Sequence, residues 1–165
     1  MLGIWYEAVM RWVGEAIRVV AMGKTFVKQR QETEEKRQQA VLIPEHVDVI
    51  AEMACGAQAH LRSTRIAGLS GPSHAVLYGS DATLRFENGR LYGGRRGDER
   101  LNEVAIPASE ADRWRVEEEF INAIRGIAPV RLTTFEDGVR YMEFTEAVTR
   151  SLQTGQTVQL PLPTP

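Results

Sequence analysis

Apolar residues recur at helical spacing at the start of the chain. Ile4, Trp5, Ala8, Val9, Trp12 and Val13 fall on one broad side of a helix over residues 3–13, and Gly14 is placed to end it. The stretch AIRVVAMGKTFVKQR is dense in β-branched and apolar residues and reads as a strand. The polar run QETEEKRQQA, which precedes Pro44, reads as an exposed connection or an outer helix turn. From His46 to Pro107 short apolar runs alternate with glycines, a pattern that predicts four or five antiparallel strands. Asn88-Gly89 is the sharpest turn signal there, because a two-residue type I′ turn needs positive φ at both central positions; it should join strands 82–87 and 90–95.

Beyond Pro107 the spacing becomes helical again. Ser109 is a plausible N-cap, and Val116, Phe120, Ile121 and Ile124 form one apolar stripe that stops at Gly126. A second cap stands at Thr134, where Thr-Phe-Glu-Asp brings a hydroxyl acceptor and acidic charge to a first helical turn. That helix runs to about Thr154, with Tyr141, Phe144, Val148 and Leu152 on its buried side; Gly155 closes it, and TVQLP returns as a short strand.

Strands in the middle and helices at both ends define an α+β class: an open, mostly antiparallel β-sheet with helices packed on one face, in a single domain over 1–165. Alternation within the strands is imperfect. Val47, Val49, Ala51 and Met53 share one side while Ile50 and Ala54 take the other, so both sheet faces carry apolar surface and the open one calls for a second domain or subunit.

Composition narrows the function classes. With 43% hydrophobic and 25% charged residues, a formal net charge of −2 and no long apolar run, the chain calls for neither a membrane nor a nucleic-acid role. The single Cys55 cannot form an internal disulfide, which suits the cytoplasm. His46, His60 and His74 with Cys55 and Asp48 match no compact metal-ligand spacing. GGRRGDE could cradle a phosphate, but no apolar helix follows to complete the site, and a surface turn is the simpler reading. Ser63, Arg65 and His74 could orient the hydroxyls of a sugar-sized ligand, and solvent-facing alternation accounts for them equally well.

Several pieces in order carry a resemblance. They are RWVG at 11–14, then VVAMGKTFV, DVIAEMACG, HAVLYGSDATLRFENGRL, FINAIRG, and the segment from Phe135 to Pro161. Taken together they resemble the C-terminal domain of the glucose–fructose oxidoreductase, inositol dehydrogenase and rhizopine-catabolism family (Gfo/Idh/MocA). The resemblance implies an open sheet like those of dihydrodipicolinate reductase and glyceraldehyde-3-phosphate dehydrogenase C-terminal domains, and assembly into a homo-oligomer through the sheet face.

It also implies a partner: an N-terminal Rossmann domain that binds NAD or NADP, with a Glu-Lys-Pro-type loop whose lysine assists proton transfer. No G-x-G-x-x-G occurs in this chain, so cofactor binding is expected outside it and the chain alone is expected to be inactive. In the family, an Asp and a His in a pattern resembling D-x-G-x-H lie on the leading helix. Here the glycine matches Gly3, the histidine position falls on Trp5, and the aspartate position falls at or before Met1. Indole only donates a hydrogen bond, so Tyr6, as a donor to a developing alkoxide, and Glu7, as a proton acceptor, become the candidate catalytic residues, with Trp5 joining Ser63, Arg65 and His74 as candidate substrate contacts. The competing reading packs Trp5 in the core, with Tyr6 at an edge and Glu7 solvated. The expected function is the substrate-binding and oligomerisation half of an NAD(P)-dependent oxidoreductase acting on a sugar, cyclitol or related polyol. The alternative is a free-standing, non-catalytic dimerisation or small-ligand module.

Overall fold

The computed structural model describes residues 2–111, 115–132 and 134–163. Helix α1 (Leu2–Val13) is followed by strand β1 (Ala16–Lys24). Gly14 ends α1 as its spacing implied: its φ of 84° lies in the left-handed region, and its N–H donates to the Met10 carbonyl at 2.9 Å. The polar run after β1 departs from the sequence expectation. It is neither connection nor helix turn but a small hairpin of β2 (Gln29–Gln31) and β3 (Gln38–Ala40), every residue of the two strands exposed. Its base is anchored by Glu45, which accepts hydrogen bonds from the Val27 N–H at 2.8 Å and from the Arg30 guanidinium.

Strands β4 (His46–Met53) and β5 (Gln58–Thr64) pair antiparallel with β1 and with each other. The chain then enters β6 (His74–Tyr78), β7 (Ala82–Glu87), β8 (Arg90–Arg95) and β9 (Asn102–Glu103). Asn88 and Gly89 take φ of 52° and 73° between β7 and β8, the backbone that a type I′ turn requires. Helix α2 (Val116–Ile124), helix α3 (Phe135–Thr154) and β10 (Val158–Gln159) complete the order. The class is α+β with open antiparallel sheets, as the pattern predicted. The strands are distributed over a sheet ordered β10-β1-β4-β5, the β2-β3 hairpin, and a sheet ordered β6-β7-β8-β9.

Two compact units follow from this distribution: residues 1–67 with 117–165, and residues 68–116. In the first, α3 lies along β1, and α1 packs on α3 and reaches β5. Val19 and Ala21 of β1, Val49, Ala51 and Met53 of β4 and Leu61 of β5 turn inward, where they meet Tyr6, Met10, Phe144, Ala147 and Val148 of the two helices. Full burial of each larger side chain stabilises by about 1.5–3 kcal/mol. Ser151 is fully buried among them and satisfied twice: it accepts the Ala21 N–H at 2.9 Å and donates to the Gln156 carbonyl at 2.6 Å.

Helix α3 matches its predicted caps. Thr134 and Asp137 form a reciprocal capping box, and Gly155 takes the left-handed conformation at the far end. Helix α2 does not match. It begins at Val116, Ser109 lies in a turn at 108–110 rather than at a cap, and Val116, Phe120, Ile121 and Ile124 are exposed rather than covered. The three acidic residues Glu117, Glu118 and Glu119 that open α2 are the stronger start signal, through their interaction with the helix dipole.

Candidate functional site

The leading helix carries the candidate residues, and its geometry separates them. Tyr6 is 2% exposed, its ring stacked on that of Phe144, and its Oη accepts the Ala16 N–H at 2.9 Å. Burial pushes the phenol pKa up, the Ala16 N–H opposes that, and the Glu15 charge adds to it, so Tyr6 stays protonated at neutral pH. Glu7 is half-buried and binds Arg11, one helical turn on, at 2.5 Å. Arg11 in turn donates to the Leu132 carbonyl at 2.6 Å. Trp5 is half-buried on the same helix.

Beside the C-terminal half of α1 lies a cleft of about 670 Å³, within the range of small-molecule sites. Tyr6, Met10, Ile17, Leu160 and Pro161 contribute apolar lining, and Arg11, Glu15, Asp137, Arg140 and Glu143 contribute charge. Arg140 spans the cleft wall, 3.0 Å from Glu15 and 3.6 Å from Asp137. The Thr134 N–H and hydroxyl, with the Arg140 and Arg11 charges, hold the Asp137 carboxyl below its ordinary range against a smaller burial effect.

The other candidates lie elsewhere. Ser63 sits in β5 opposite Val47, half-buried on the helix-covered side of the sheet. Arg65 follows β5 with an exposed side chain, and its N–H donates to the Glu45 carbonyl. His74 opens β6 in the second unit, exposed, with Nδ1 3.2 Å from the Pro72 carbonyl. Ser63 and Arg65 thus belong to the first unit and His74 to the second.

A constellation the spacing did not reveal occupies the open face of the first sheet. The Asp48 carboxylate lies 2.8 Å from His46 Nε2, 3.2 Å from His60 Nε2, and accepts the Arg62 Nε–H at 2.7 Å. Partial burial pushes the Asp48 carboxyl up, but hydrogen bonds from Arg62, His46 and His60 and the Arg62 charge outweigh it and hold the pKa at about 2. The signal was present as two i, i+2 pairs, His46/Asp48 and His60/Arg62. Only the β4–β5 register, with Asp48 opposite Arg62 and Ile50 opposite His60, brings the pairs together. Among the described residues no group of three His, Cys, Asp or Glu side chains is arranged to hold a metal ion. No described helix is long and apolar enough to cross a membrane.

The fold is that of the C-terminal domain of Gfo/Idh/MocA-type NAD-binding oxidoreductases. Levoglucosan dehydrogenase, solved in complex with NADH, superposes with a TM-score of 0.79 at 19% identity, over 99% of this chain and 50% of that one. An NAD-binding oxidoreductase from Klebsiella pneumoniae matches with a TM-score of 0.76 at 17% identity, over 95% of this chain and 48% of that one. The WlbA dehydrogenase from Bordetella pertussis, in complex with NADH and UDP-GlcNAcA, matches with a TM-score of 0.70 at 16% identity, over 96% and 44%. The chain therefore spans about half the length of the solved structures it matches. No family model matches the sequence, and no curated protein matches it.

Proposed function

We infer that this chain is the substrate-binding and assembly half of an NAD(P)-dependent oxidoreductase acting on a sugar, cyclitol or related polyol, with the dinucleotide held by a separate Rossmann domain. The observation that carries this reading is the match of nearly the whole chain to half of levoglucosan dehydrogenase, joined to a sequence without a glycine-rich dinucleotide motif. Hydride would pass between the nicotinamide and a secondary alcohol carbon. On this reading Glu7 is the better placed of the two acid–base candidates, because its carboxylate reaches the surface beside Arg11, whereas the Tyr6 phenol is committed to the core. Trp5 would offer an aromatic surface to a sugar ring.

Assembly would use the open face of the β10-β1-β4-β5 sheet against a second copy. Met22 is 80% exposed there, with Ile50 and Val20 beside it, and the Arg18–Glu52 pair and the Asp48 cluster supply both signs of charge to a self-complementary patch.

Titration of the chain with NADH, followed by nicotinamide fluorescence, and with inositol and levoglucosan, followed by saturation-transfer NMR, tests the reading. Polyol binding that weakens in Glu7→Gln, without NADH binding, supports it. Tight NADH binding by this chain alone would overturn the assignment of the nucleotide to another domain.

The second reading, a non-catalytic dimerisation or ligand-binding module, is favoured by Trp5 at the position where the family carries its histidine. Reading the DNA upstream of the Met1 codon separates the two. An in-frame strand, glycine turn and helix supports the oxidoreductase half, and a stop codon supports the module.

A further inference from the structure

The sequence GGRRGDE resolves into two functions once its neighbours are placed. Its leading glycines serve packing. A Cβ on Gly93 would meet Val104 Cγ2 at 3.1 Å and Leu84 Cδ2 at 3.3 Å, and one on Gly94 would meet Leu101 Cδ2 at 3.0 Å. Its arginines do something else. Arg95 and Arg96, with Gly79, Ser80, Ala82 and Thr83, line a cleft of about 290 Å³ at the end of the β6-β7-β8-β9 sheet, entirely within the second unit.

Among the described residues, neither guanidinium has an ion-pair or hydrogen-bond partner, and neither do the Ser80 and Thr83 hydroxyls. Two other arginines of this unit are engaged, Arg85 with Glu87 and Arg90 with Glu103. Asp98, the carboxylate closest in sequence to the pair, accepts the Arg95 backbone N–H at 2.7 Å. The two walls are fastened to each other through the backbone where the Arg96 N–H donates to the Asp81 carbonyl at 2.8 Å, and the β6–β7 loop is closed on itself by the Gly79 N–H donating to the Ala82 carbonyl at 2.9 Å. Two guanidinia and two hydroxyls on a hydrogen-bonded backbone frame thus present donors that no described carboxylate engages. Guanidinium forks match the oxygens of phosphate and carboxylate groups and bind them through charge-assisted hydrogen bonds. The volume lies at the lower end of the range for ligand sites, so it suits one anionic group and its immediate attachment rather than a dinucleotide.

We propose that the cleft between the β6–β7 loop and the end of β8 is an oxyanion-binding site, in which Arg95, Arg96, Ser80 and Thr83 hold the phosphoryl or carboxylate group of a small anionic ligand. The site is independent of the oxidoreductase reading and stands or falls separately from it.

Amide NMR spectra of the whole chain, titrated at constant ionic strength with inorganic phosphate and in a second series with acetate, test it. The expected result is a saturable shift confined to residues 79–83 and 94–98, with phosphate tighter if the ligand is phosphorylated and acetate at least as tight if it is a carboxylic acid. Binding should fall about tenfold or more in Arg95→Gln/Arg96→Gln, since each lost charge-assisted bond weakens it substantially. Ser80→Ala/Thr83→Val, which leaves both charges in place, should weaken binding by a smaller factor. No saturable shift with either anion, shifts spread over arginines throughout the chain, or unchanged binding in a folded double-arginine variant would each overturn the proposal.

Discussion

The ring of Tyr6 lies flat on that of Phe144, with centroids 3.6 Å apart and planes 3° from parallel. This contact joins α1 to α3 at the centre of the core, and both side chains are almost wholly buried. It makes Tyr6 a structural residue in the first instance, whatever its hydroxyl contributes. Phe144→Ala should destabilise the chain by about 3–5 kcal/mol, the cost of emptying an aromatic core site. Tyr6→Phe should cost about 1–3 kcal/mol, because the ring is kept but the buried Ala16 N–H loses its acceptor. Urea unfolding followed by circular dichroism checks both, and a neutral Tyr6→Phe would show that the Ala16 contact adds nothing.

Ser151 supports a similar argument from the opposite side of the core. Ser151→Ala leaves the Ala21 N–H and the Gln156 carbonyl without their shared partner, and should cost about 1–3 kcal/mol. Faster hydrogen exchange at the Ala21 amide in the variant would locate the loss.

Gly23 is required by close approach rather than by its backbone angles. A Cβ there would meet Leu152 Cδ2 at 2.9 Å and the His46 carbonyl oxygen at 3.0 Å. The leucine can turn aside but the β4 backbone cannot, so Gly23→Ala should destabilise by about 1–3 kcal/mol. A thermal midpoint equal to that of the parent chain would refute the packing argument.

The Asp48 cluster sets an acid limb of stability. Its folded pKa of about 2 lies below the unconstrained value of 3.8, so the native state favours the ionised carboxylate. The resulting stability is fully present above about pH 4 and is lost as pH falls toward 2. The difference in urea midpoint between the parent chain and Asp48→Asn should therefore shrink as pH falls from about 4 toward 2. A difference independent of pH would remove Asp48 from the linkage.

In the proposed assembly through the open sheet face, the exposed Met22 and Ile50 would form an apolar contact. Met22→Lys with Ile50→Lys should shift the chain toward monomer in sedimentation velocity without loss of secondary structure. An unchanged oligomer would move the interface elsewhere, and a monomeric parent chain would remove it.

Local signals were legible wherever one residue type meets one backbone need. Gly14, Asn88-Gly89, the Thr134 capping box and Gly155 each specify a helix end or a turn through short-range sterics and hydrogen bonds. The apolar face of α3 was legible for the same reason, since Phe144 and Val148 recur at helical spacing and are buried together. Helix α2 was harder, because an apolar stripe over Val116 to Ile124 has the same spacing whether it is covered or exposed. The β2-β3 hairpin was hidden by its polarity: with both faces in water, strand pairing leaves no alternation to read.

The sequence by itself determined the α+β class, the ends and turns at Gly14, Asn88-Gly89, Thr134 and Gly155, the shared side of Val49, Ala51 and Met53, and the absence of a dinucleotide motif, because these depend on residues close together along the chain. Only the tertiary structure decided which candidates became neighbours. It buried Tyr6 against Phe144, left Glu7 with Arg11 at the surface, gathered His46, His60 and Arg62 around Asp48, and set Arg95 and Arg96 beside Ser80 and Thr83. Each juxtaposition rests on strand register or helix docking, which is fixed by the packing of the whole core rather than by the spacing of any one segment.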